Sequence, residues 1–390
     1  MRVNIGVIFG GKSVEHEISI ISACEIMGYI DATKYNVIPI YIDKDNVWYT
    51  GMHLKDIINY RDIDLVKRYA KKVALIRNGK RILLQSLGLL KRNLYVIDMI
   101  LPIGHGTYME DGTLQGYLSM LDIPYVGSSV SASAVSQDKV LMKQILAANN
   151  VPITNYVWFT EKDFNTSKKK ILDKISKLEY PLFIKPASLG SSIGITKVLK
   201  EKDLGDAIKE AFRFDHKILV EEAVSNVKEV NVSVIGNYEK YDVSEIEEIN
   251  ANNDFYSFKE KYVNNYAKTV VKTTKTKPII SKEMIEDIKK YAVSTFKAVN
   301  ASGVARIDFL IDEKNMKIYV SEINTIPGSL SGYLWLAKKV SQRELIDNLV
   351  KVALYEYDKK KQLVYSFVPN LLEHFDDLKG DKIKKTEKKN

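Results

Sequence analysis

The chain of 390 residues contains one cysteine, Cys24, which excludes an internal disulfide and favours a cytoplasmic location. Cys24 lies in an apolar helical context, where a buried packing role is commoner than a nucleophilic one. Nowhere do roughly 18 consecutive apolar residues occur, so we expect no membrane span. One basic residue, Arg2, precedes Gly10-Gly11 at the start of the chain, which is unlike a signal peptide.

Acidic residues are fewer than basic ones: 49 Asp and Glu residues against 58 Lys and Arg residues give a formal net charge of +9. Such a balance can indicate nucleic-acid binding, yet no zinc, RNP-type or helix-turn-helix signature accompanies it. Much of the excess lies in lysine-rich stretches, such as 168–170 and the tail from Lys379 to Lys389. We therefore expect neither nucleic acid nor membrane as a partner, and interpret the charge as solvation together with attraction of anionic substrates.

The length and the order of elements predict an α/β chain of two or three domains. Val3 to Phe9 has the pattern of a buried strand, Gly10-Gly11-Lys12-Ser13 that of a tight loop, and Glu15 to Ile30 that of a helix. This order is typical of a Rossmann-like βα unit, which directs a helix N-terminus toward an anion or polar ligand. Further strands are predicted at Tyr35 to Tyr41 and at Tyr95 to Leu101. The loop at 102–116 is rich in glycine and polar residues, which indicates function.

A Gly/Ser segment from Ala187 to Ile195 follows a predicted strand that ends near Lys185 and precedes another strand at Thr196 to Leu199. Such a tip exposes backbone N–H groups and hydroxyls, which suits a phosphate cover. A flexible hairpin tip is the alternative, and Lys185 favours phosphate. Two carboxylates, Glu221 and Glu222, end a later strand, where contacts to a nucleobase or ribose are expected. The long aromatic loop at 245–268 predicts a lid.

The stretch from Gly303 to Gly328 predicts a β-hairpin, because two apolar-alternating runs flank a polar turn. Alternation places Arg306 and Asp308 on one face of the first strand, and Glu322 and Asn324 on one face of the second. A three-residue loop at 314–316 would set Asp308 opposite Glu322. Like charges in that arrangement are unfavourable unless a hard cation such as Mg²⁺ lies between them.

On the same face, Asn324 would add a third oxygen ligand of the kind that Mg²⁺ prefers. Arg306 would remain as an unpaired donor, suited to phosphate or to a developing oxyanion. The alternative is a solvated strand face that simply carries charges. This stretch alone supports the two interpretations equally.

Five motifs occur in the chain: Gly10-Gly11-x-Ser13-x-Glu15-His16-Glu17-Ile18-Ser19, His105-Gly106 with Glu110-Asp111-Gly112-Thr113-Leu114-Gln115-Gly116, Lys185-Pro186 with Gly190-Ser191-Ser192-x-Gly194, Arg306-Ile307-Asp308, and Glu322-x-Asn324-Thr325-x-Pro327-Gly328. Together they resemble the D-alanine–D-alanine ligase family of the ATP-grasp superfamily, and they follow the family's order over residues 3–330.

The resemblance implies a three-domain ATP-grasp fold, with domains at 1–130, 131–223 and 224–360 and a basic, disordered tail at 361–390. It implies ATP and Mg²⁺ as cofactors, with two magnesium ions and Mn²⁺ as a substitute. The carboxylate of one D-alanine would attack the γ-phosphate of ATP, and the amine of a second substrate would displace phosphate from the acyl phosphate. Such an enzyme supplies peptidoglycan precursor for the cell wall, and relatives are commonly homodimers.

The resemblance also implies roles for individual residues. Glu15 would receive the first amino group, and His105 the first carboxylate. The full set is Glu15, Ser191, Tyr262 and Arg306 for catalysis; His105, Ser329 and Ser331 for substrate binding; Lys139, Lys185, Ser192, Glu222, Glu229 and Lys261 for the nucleotide; and Asp308, Glu322 and Asn324 for the metal.

Two places bear on specificity. Lys261-Tyr262 matches the dipeptide-forming members, whereas depsipeptide-forming relatives have histidine in that region, so an amine is favoured over a hydroxy acid. After Pro327-Gly328, dipeptide ligases continue with an apolar residue, Thr and shortly a Ser, whereas this chain has Ser329-Leu330-Ser331-Gly332-Tyr333-Leu334-Trp335. D-Alanine–D-serine ligation, or ligation to another amine, is therefore an alternative. A non-catalytic nucleotide-binding protein is a further alternative, which the presence of every charged catalytic position disfavours.

Overall fold

The computed structural model describes residues 2–249 and 278–366, and three β-sheets organise this part of the chain. Residues Met1–Leu354 form one unit and Tyr355–Asn390 another. All three sheets belong to the first unit, and the described part of the second begins with the end of the last helix. Among the described helices, none has the length and apolar character needed to cross a membrane. Most of the predicted lid and most of the predicted tail lie outside the described residues.

The first sheet contains an inner strand, next to one edge of the sheet, that is covered on both faces. Ile5, Val7, Ile8 and Phe9 are all fully buried, which explains the uninterrupted apolar run at the start of the sequence. The strand order is β6-β5-β4-β3-β2-β1-β7, and β1 runs parallel to β2 and β7. The strands are β1 (Val3–Gly10), β2 (Tyr35–Ile42), β3 (Trp48–Thr50), β4 (Lys71–Asn78), β5 (Arg81–Ser86), β6 (Asn93–Ile97) and β7 (Met99–Ile103). The helices are α1 (His16–Tyr29), α2 (Ile63–Tyr69) and α3 (Thr113–Met120), with 3-10 turns at Met52–Lys55 and Ile57–Arg61.

The prediction of one strand from Tyr95 to Leu101 is wrong, because the chain forms two strands that are divided at Asp98. The backbone N–H of Asp98 donates to the Asn4 carbonyl (2.9 Å), and the Asp98 carboxylate accepts from the Asn4 N–H (2.8 Å). These bonds draw the chain away from β5 and onto β1. The separate strand β7 then leads directly into the glycine-rich loop at 104–112.

The second sheet is antiparallel, with strand order β10-β9-β11-β8. Its elements are α4 (Val130–Gln137), α5 (Lys139–Ala148), β8 (Tyr156–Thr160), α6 (Glu161–Ile175), β9 (Leu182–Pro186), β10 (Thr196–Val198), α7 (Leu204–Ala211) and β11 (Lys217–Glu222), with a 3-10 turn at Glu201–Asp203. Asp138 caps α5 by accepting from the N–H groups of Val140 (3.0 Å) and Leu141 (3.1 Å). The cap fixes the start of the helix that carries Lys139.

The third sheet has the order β13-β12-β15-β16, with β14 also paired to β12. Its elements are β12 (Val227–Gly236), β13 (Tyr241–Val243), β14 (Glu247–Ile249), α8 (Lys282–Ala298), β15 (Gly303–Asp312) and β16 (Lys317–Asn324). A 3-10 turn (Gly328–Ser331), α9 (Gly332–Leu336) and α10 (Gln342–Lys361) follow. The strand at Glu247–Ile249 corrects the prediction that the chain is loop-like from residue 245, since β14 pairs with Glu229 to Asn231 of β12.

The α/β class predicted from the sequence is confirmed by these mixed sheets and helices. The apolar alternation of β15 also has its expected consequence. Ile307, Phe309 and Ile311 are buried against α8, where Ile288 and Phe296 belong to the same core. The even-numbered residues of β15 therefore face the opposite side, toward the second sheet. The exact domain boundaries stay a prediction.

Candidate active site

A cavity of about 370 Å³ is lined by residues from β9 and β11, from β12, β15 and β16, and from loops that follow strands of the first sheet. Many of its lining residues were predicted from the sequence: Glu15, Lys139, Lys185, Ser191, Ser192, Glu222, Glu229, Arg306, Asp308, Glu322 and Asn324. Glu110 also lines the cavity and had no predicted role, and Glu221, expected at a nucleobase or ribose, lines it as well. Lys261 and Tyr262 lie outside the described residues.

The acidic hairpin has the predicted pairing, although its turn differs from the prediction. Asp308 lies opposite Glu322, as expected. The loop at 313–316 has four residues instead of three, which by itself would shift the pairing by one position. A bulge compensates, because Phe309 pairs with Val320 while Asp308 pairs with Glu322, leaving Ser321 as the extra residue. Glu322 and Asn324 consequently keep the cavity face while Ile323 stays in the core.

The prediction that Arg306 is an unpaired donor is wrong. Its Nε and one terminal nitrogen donate to the two carboxylate oxygens of Asp308, each over 2.7 Å. The pairing is possible because the two side chains are two positions apart on one strand face. Burial disfavours the charge on Arg306, but Asp308 outweighs it and holds the pKa of the guanidinium well above its usual value. Arg306 is therefore a fixed cation at the cavity wall.

The carboxylate of Asp308 has amide neighbours as well. Asn324 Nδ2 donates to Asp308 Oδ2 over 3.2 Å. With its amide oriented to satisfy its neighbours, Asn231 donates to Asp308 Oδ1 over 3.0 Å. Asn231 also lines the cavity, next to Asp308 on the paired strand β12. Together these contacts hold the Asp308 carboxylate in one orientation.

The donor set at the hairpin fits a magnesium ion. Asp308, Glu322 and Asn324 supply carboxylate and amide oxygens from one face of two paired strands, and hard oxygen ligands are those that Mg²⁺ prefers. The described residues contain no group of three or more His, Cys, Asp or Glu side chains arranged for a metal. Two protein carboxylates plus an amide are still in keeping with Mg²⁺, which usually retains water and binds substrate phosphates.

Lysine side chains approach the cavity from the second sheet and from α5. Lys139 Nζ donates to the Leu189 carbonyl (2.6 Å) and lies 3.9 Å from Glu322 Oε2. Burial lowers the pKa of Lys139, and the carboxylates around it oppose that shift. Lys185 lies near the end of β9 and also lines the cavity. Two cations therefore face the carboxylates of the hairpin across the cavity.

The Gly/Ser loop connects the antiparallel strands β9 and β10, so it is a hairpin tip as well as part of the cavity wall. Ser191 and Ser192 adopt left-handed backbone conformations, with φ of 53° and 60°. The Ser191 hydroxyl donates to Glu15, which lies at the N-terminus of α1. The loop thus joins the wall that carries the lysines to the wall that carries Glu15.

Glu221 differs from the expectation of a nucleobase or ribose contact, because its carboxylate is buried between two lysines, Lys143 and Lys185. Burial alone would raise the pKa of Glu221, but the two ammonium groups hold it well below its usual range. Glu222 accepts from Asn155 Nδ2 (2.8 Å) and from the Glu179 N–H (3.0 Å). The lysine on α5, Lys143, has no sequence motif that would have identified it.

Glu110 joins two loops at the cavity. Its carboxylate accepts from the N–H of Gly106 (2.8 Å) and from the N–H of Ile326 (3.2 Å). Burial, and then the nearby charge of Glu15, raise the pKa of Glu110 to about 8. Gly106 has a φ of +73°, and a Cβ there would lie 2.7 Å from Glu15 Oε2, so glycine is required between the two carboxylates. Glu110 belongs to the sequence motif Glu110-Asp111-Gly112, which could have identified it as a site residue.

Three predicted substrate-binding residues do not line the cavity. His105 is buried, its Nε2 lies 3.2 Å from Ser22 Oγ, and burial lowers its pKa to about 4, so its imidazole is neutral at pH 7. The contact of His105 with the first substrate's carboxylate stays a prediction. Ser329 donates its hydroxyl to Glu25. Ser331 is fully buried, and its hydroxyl has no hydrogen-bond partner within the described part of the chain.

The segment that departs from the family pattern has an unusual backbone. Ser329, Leu330 and Ser331 have φ values of 45°, 55° and 53°, a run of left-handed residues without glycine. Such a run is costly and persists only where the surroundings fix it. Two hydrogen bonds fix this segment. The indole N–H of Trp335 donates to Ser233 Oγ (3.1 Å), and Nε2 of Gln342 donates to the Ser329 carbonyl (3.0 Å).

Two family models match the chain. The model described as D-ala D-ala ligase N-terminus matches residues 4–128, and that described as D-ala D-ala ligase C-terminus matches residues 141–351. The chain belongs to the D-alanine–D-alanine ligase family. Family membership agrees with the resemblance found in the sequence motifs. It also accounts for a cavity that draws residues from both matched regions.

Individual relatives cover almost the whole chain. A D-alanine–D-alanine ligase of Thermosipho melanesiensis is 42% identical over 372 residues, covering 95% of this chain and 98% of the relative. The solved D-alanine–D-alanine ligase of Coxiella burnetii has a TM-score of 0.78 and 32% identity, covering 93% of this chain and 96% of its own. The VanG D-Ala:D-Ser ligase of Enterococcus faecalis has a TM-score of 0.76 and 29% identity, covering 90% and 100%. The fold is therefore similar to enzymes with two different second substrates.

Proposed function

We propose that this protein is an ATP-dependent D-alanine–D-alanine ligase, which forms D-alanyl-D-alanine for peptidoglycan precursor synthesis in the cytoplasm. The observation that carries the proposal is the single cavity that brings together Glu15, the lysines Lys139 and Lys185, Arg306 and the acidic hairpin. Cations suited to phosphate, oxygen ligands suited to Mg²⁺ and a carboxylate suited to an ammonium group all face one space.

In this proposal the nucleotide lies between the second and third sheets. Lys139, Lys185 and the Gly/Ser loop with Ser192 bind its phosphates, because ammonium groups and exposed backbone N–H groups neutralise phosphate charge. Glu222 and Glu229 contact the adenosine. Magnesium, or manganese in its place, would be held by the hairpin oxygens and would neutralise charge on the phosphates. A lid contact from Lys261 and Tyr262 is also part of the proposal.

The first D-alanine places its ammonium group at Glu15, which Ser191 holds in position. One oxygen of its carboxylate forms a bond to the γ-phosphorus while the bond from that phosphorus to the β-phosphate oxygen breaks, and ADP leaves. The Arg306 guanidinium, fixed by Asp308, neutralises negative charge on the transferring phosphoryl group. The product of this step is an acyl phosphate.

The second step forms the peptide bond. The amine nitrogen of the second substrate attacks the acyl carbon, the tetrahedral intermediate collapses, and the C–O bond to phosphate breaks. The nitrogen loses a proton, and inorganic phosphate leaves with the electron pair of the broken bond. Arg306 lies on the wall from which it can also stabilise the oxyanion. The net products are the dipeptide, ADP and phosphate.

A second candidate is D-alanine–D-serine ligation, or ligation to another amine. Two observations favour it: the Ser329 to Trp335 segment departs from the usual dipeptide-ligase pattern, and the structure is similar to the VanG D-Ala:D-Ser ligase. Ser329 or Ser331 would have to turn toward the cavity to bind the second carboxylate. The three-domain division and a homodimer are part of the proposal as well.

The deciding experiment measures phosphate release from ATP and Mg²⁺ with D-alanine alone, and then with D-serine, glycine or D-lactate added, with products identified by mass. Efficient formation of the D-alanine dipeptide from D-alanine alone supports the first candidate. Turnover that appears only with another amine supports the second. Ester formation with D-lactate would contradict both. Glu15→Gln is the internal control, since it should raise the KM for the first D-alanine.

A further inference from the structure

A buried ionic cluster lies directly behind the cavity wall. Lys143 Nζ lies 2.9 Å from Glu221 Oε2 and donates to Thr154 Oγ1 over 2.9 Å. The Thr154 hydroxyl in turn donates to Glu221 Oε2 over 3.1 Å. The other oxygen of Glu221, Oε1, binds Lys185 Nζ. Each carboxylate oxygen of Glu221 therefore forms an ion pair with a different lysine.

The two lysines differ in their access to the cavity. The side chain of Lys143 is 1% exposed and does not line the cavity, whereas that of Lys185 is 14% exposed and does. Lys143 is one helical turn beyond Lys139 on α5, so the same helix supplies one lysine to the cavity and another to the cluster behind it. A fully buried ammonium group needs a structural reason, because desolvation of a charge is costly.

The net charge of the cluster suggests why the ammonium group of Lys143 is buried there. Glu221 carries one negative charge against two positive ones, so the cluster has a net charge of +1, and its exposed end is Lys185. Without Lys143, the whole charge of Glu221 would be directed at Lys185, and a neutral ion pair would face the cavity. Opposite charges at contact distance in a buried site attract strongly, which would draw Lys185 away from an anionic ligand.

We propose that Lys143 is a positioning residue for nucleotide binding: by holding Glu221 from behind, it leaves Lys185 with an available positive charge at the cavity. The proposal rests on the proposed function in that the anionic ligand is the phosphate chain of ATP. Lys143 itself contacts neither nucleotide nor substrate. It acts through Glu221, and its effect is confined to the affinity for the nucleotide.

The test compares Lys143→Met with Lys143→Arg in the full-length protein. Binding of Mg²⁺ and the non-hydrolysable analogue AMP-PNP is measured by calorimetry, and steady-state kinetics give the KM values for ATP and D-alanine. We expect K143M to weaken AMP-PNP binding and raise the KM for ATP by about tenfold, with the KM for D-alanine within about twofold of wild type. K143R should recover most of the affinity, because it retains the buried positive charge.

Lys217→Met is the matched control. Lys217 forms an ion pair with Asp138, so it also joins β11 to α5, but it does not contact Glu221. Its removal should change the KM for ATP by less than about twofold. The two variants therefore separate loss of a lysine ion pair between these elements from loss of the specific support to Glu221.

A thermal shift in K143M with unchanged AMP-PNP affinity would show a merely structural role and overturn the proposal. If K143M does not fold, Thr154→Val decides: it removes the hydroxyl that bonds both Lys143 and Glu221, and should weaken AMP-PNP binding by about threefold, whereas no change overturns the proposal. The calorimetric readout is independent of turnover. Wild-type protein that binds AMP-PNP but forms no dipeptide would contradict the proposed function while the effect of K143M still tests this inference.

Discussion

Replacing Arg306 with alanine should separate the catalytic contribution of this side chain from its contribution to folding. In the structure Arg306 makes two hydrogen bonds of 2.7 Å to Asp308, with side-chain exposures of 22% and 17%. A hydrogen bond to a charged group contributes about 1.5–3 kcal/mol. Because both bonds join the same two charges and solvent partly screens them, we expect the variant to lose about 2–3 kcal/mol of unfolding free energy.

The expected loss of activity is larger than the loss of stability. Removing a guanidinium that neutralises a transferring phosphoryl group lowers the rate by a factor of about 10³ or more, which corresponds to about 4 kcal/mol in the activation free energy. Arg306→Lys retains the charge without the two-pronged geometry, so its kcat should fall by only about 10- to 100-fold. The order of activity should be wild type, then R306K, then R306A.

The assay is ADP formation with saturating ATP, Mg²⁺ and D-alanine, combined with urea unfolding of each variant at the same temperature. AMP-PNP binding serves as the control, because a folded variant with an intact nucleotide site should still bind it. Folded R306A with a kcat within about tenfold of wild type would refute the assignment of Arg306 to the transferring phosphate. Equal activities of R306K and R306A would refute the role of its charge.

Three further predictions concern packing, pH and the metal. Gly332→Ala should destabilise the protein by about 1–3 kcal/mol, because its Cβ would lie 1.4 Å from Oε1 of Gln342; adding Gln342→Ala should recover most of the loss in thermal melts. The pKa of Glu110 is raised to about 8, so the folded state keeps its proton where the unfolded state has lost it, and the stability from this proton is lost as the pH rises from about 4.3 toward 8. The melting temperature of Glu110→Gln should therefore vary less over that range than that of wild type, and an unchanged slope would contradict the shift. Glu322→Gln should raise the Mg²⁺ concentration for half-maximal activity by about tenfold or more, whereas Glu313→Gln at the hairpin turn should not; equal effects would contradict the ligand assignment.

The acidic hairpin shows what local pattern can predict. Strict alternation between apolar and polar residues was sufficient to place Arg306, Asp308, Glu322 and Asn324 on one face, because side chains on a strand alternate. The turn length was wrong, yet the pairing was right, since the bulge at Ser321 offsets the longer turn. A bulge leaves little trace in a sequence, so only the structure could separate the two arrangements.

Local sequence patterns could not predict side-chain contacts between residues that are distant in the sequence. Glu221 was expected at a nucleobase or ribose, but its lysine partners lie on α5 and β9, and no pattern within β11 reveals them. His105 stands beside a glycine in a recognisable motif, whereas its burial against Ser22 depends on how α1 packs. In each case the sequence correctly marked a polar residue in a functional region. Its environment was decided by elements elsewhere in the fold.

The hydrogen bond from Ser191 to Glu15 spans 176 positions of sequence and has a consequence for how nucleotide and amino acid affect each other's affinity. Ser191 belongs to the loop whose Leu189 carbonyl accepts from Lys139, so a nucleotide that rearranges this loop also alters the support of Glu15. An ammonium group bound at Glu15 likewise changes the acceptor available to Ser191. Thermodynamic linkage makes such coupling reciprocal: the factor by which nucleotide changes the affinity for amino acid equals the factor by which amino acid changes the affinity for nucleotide.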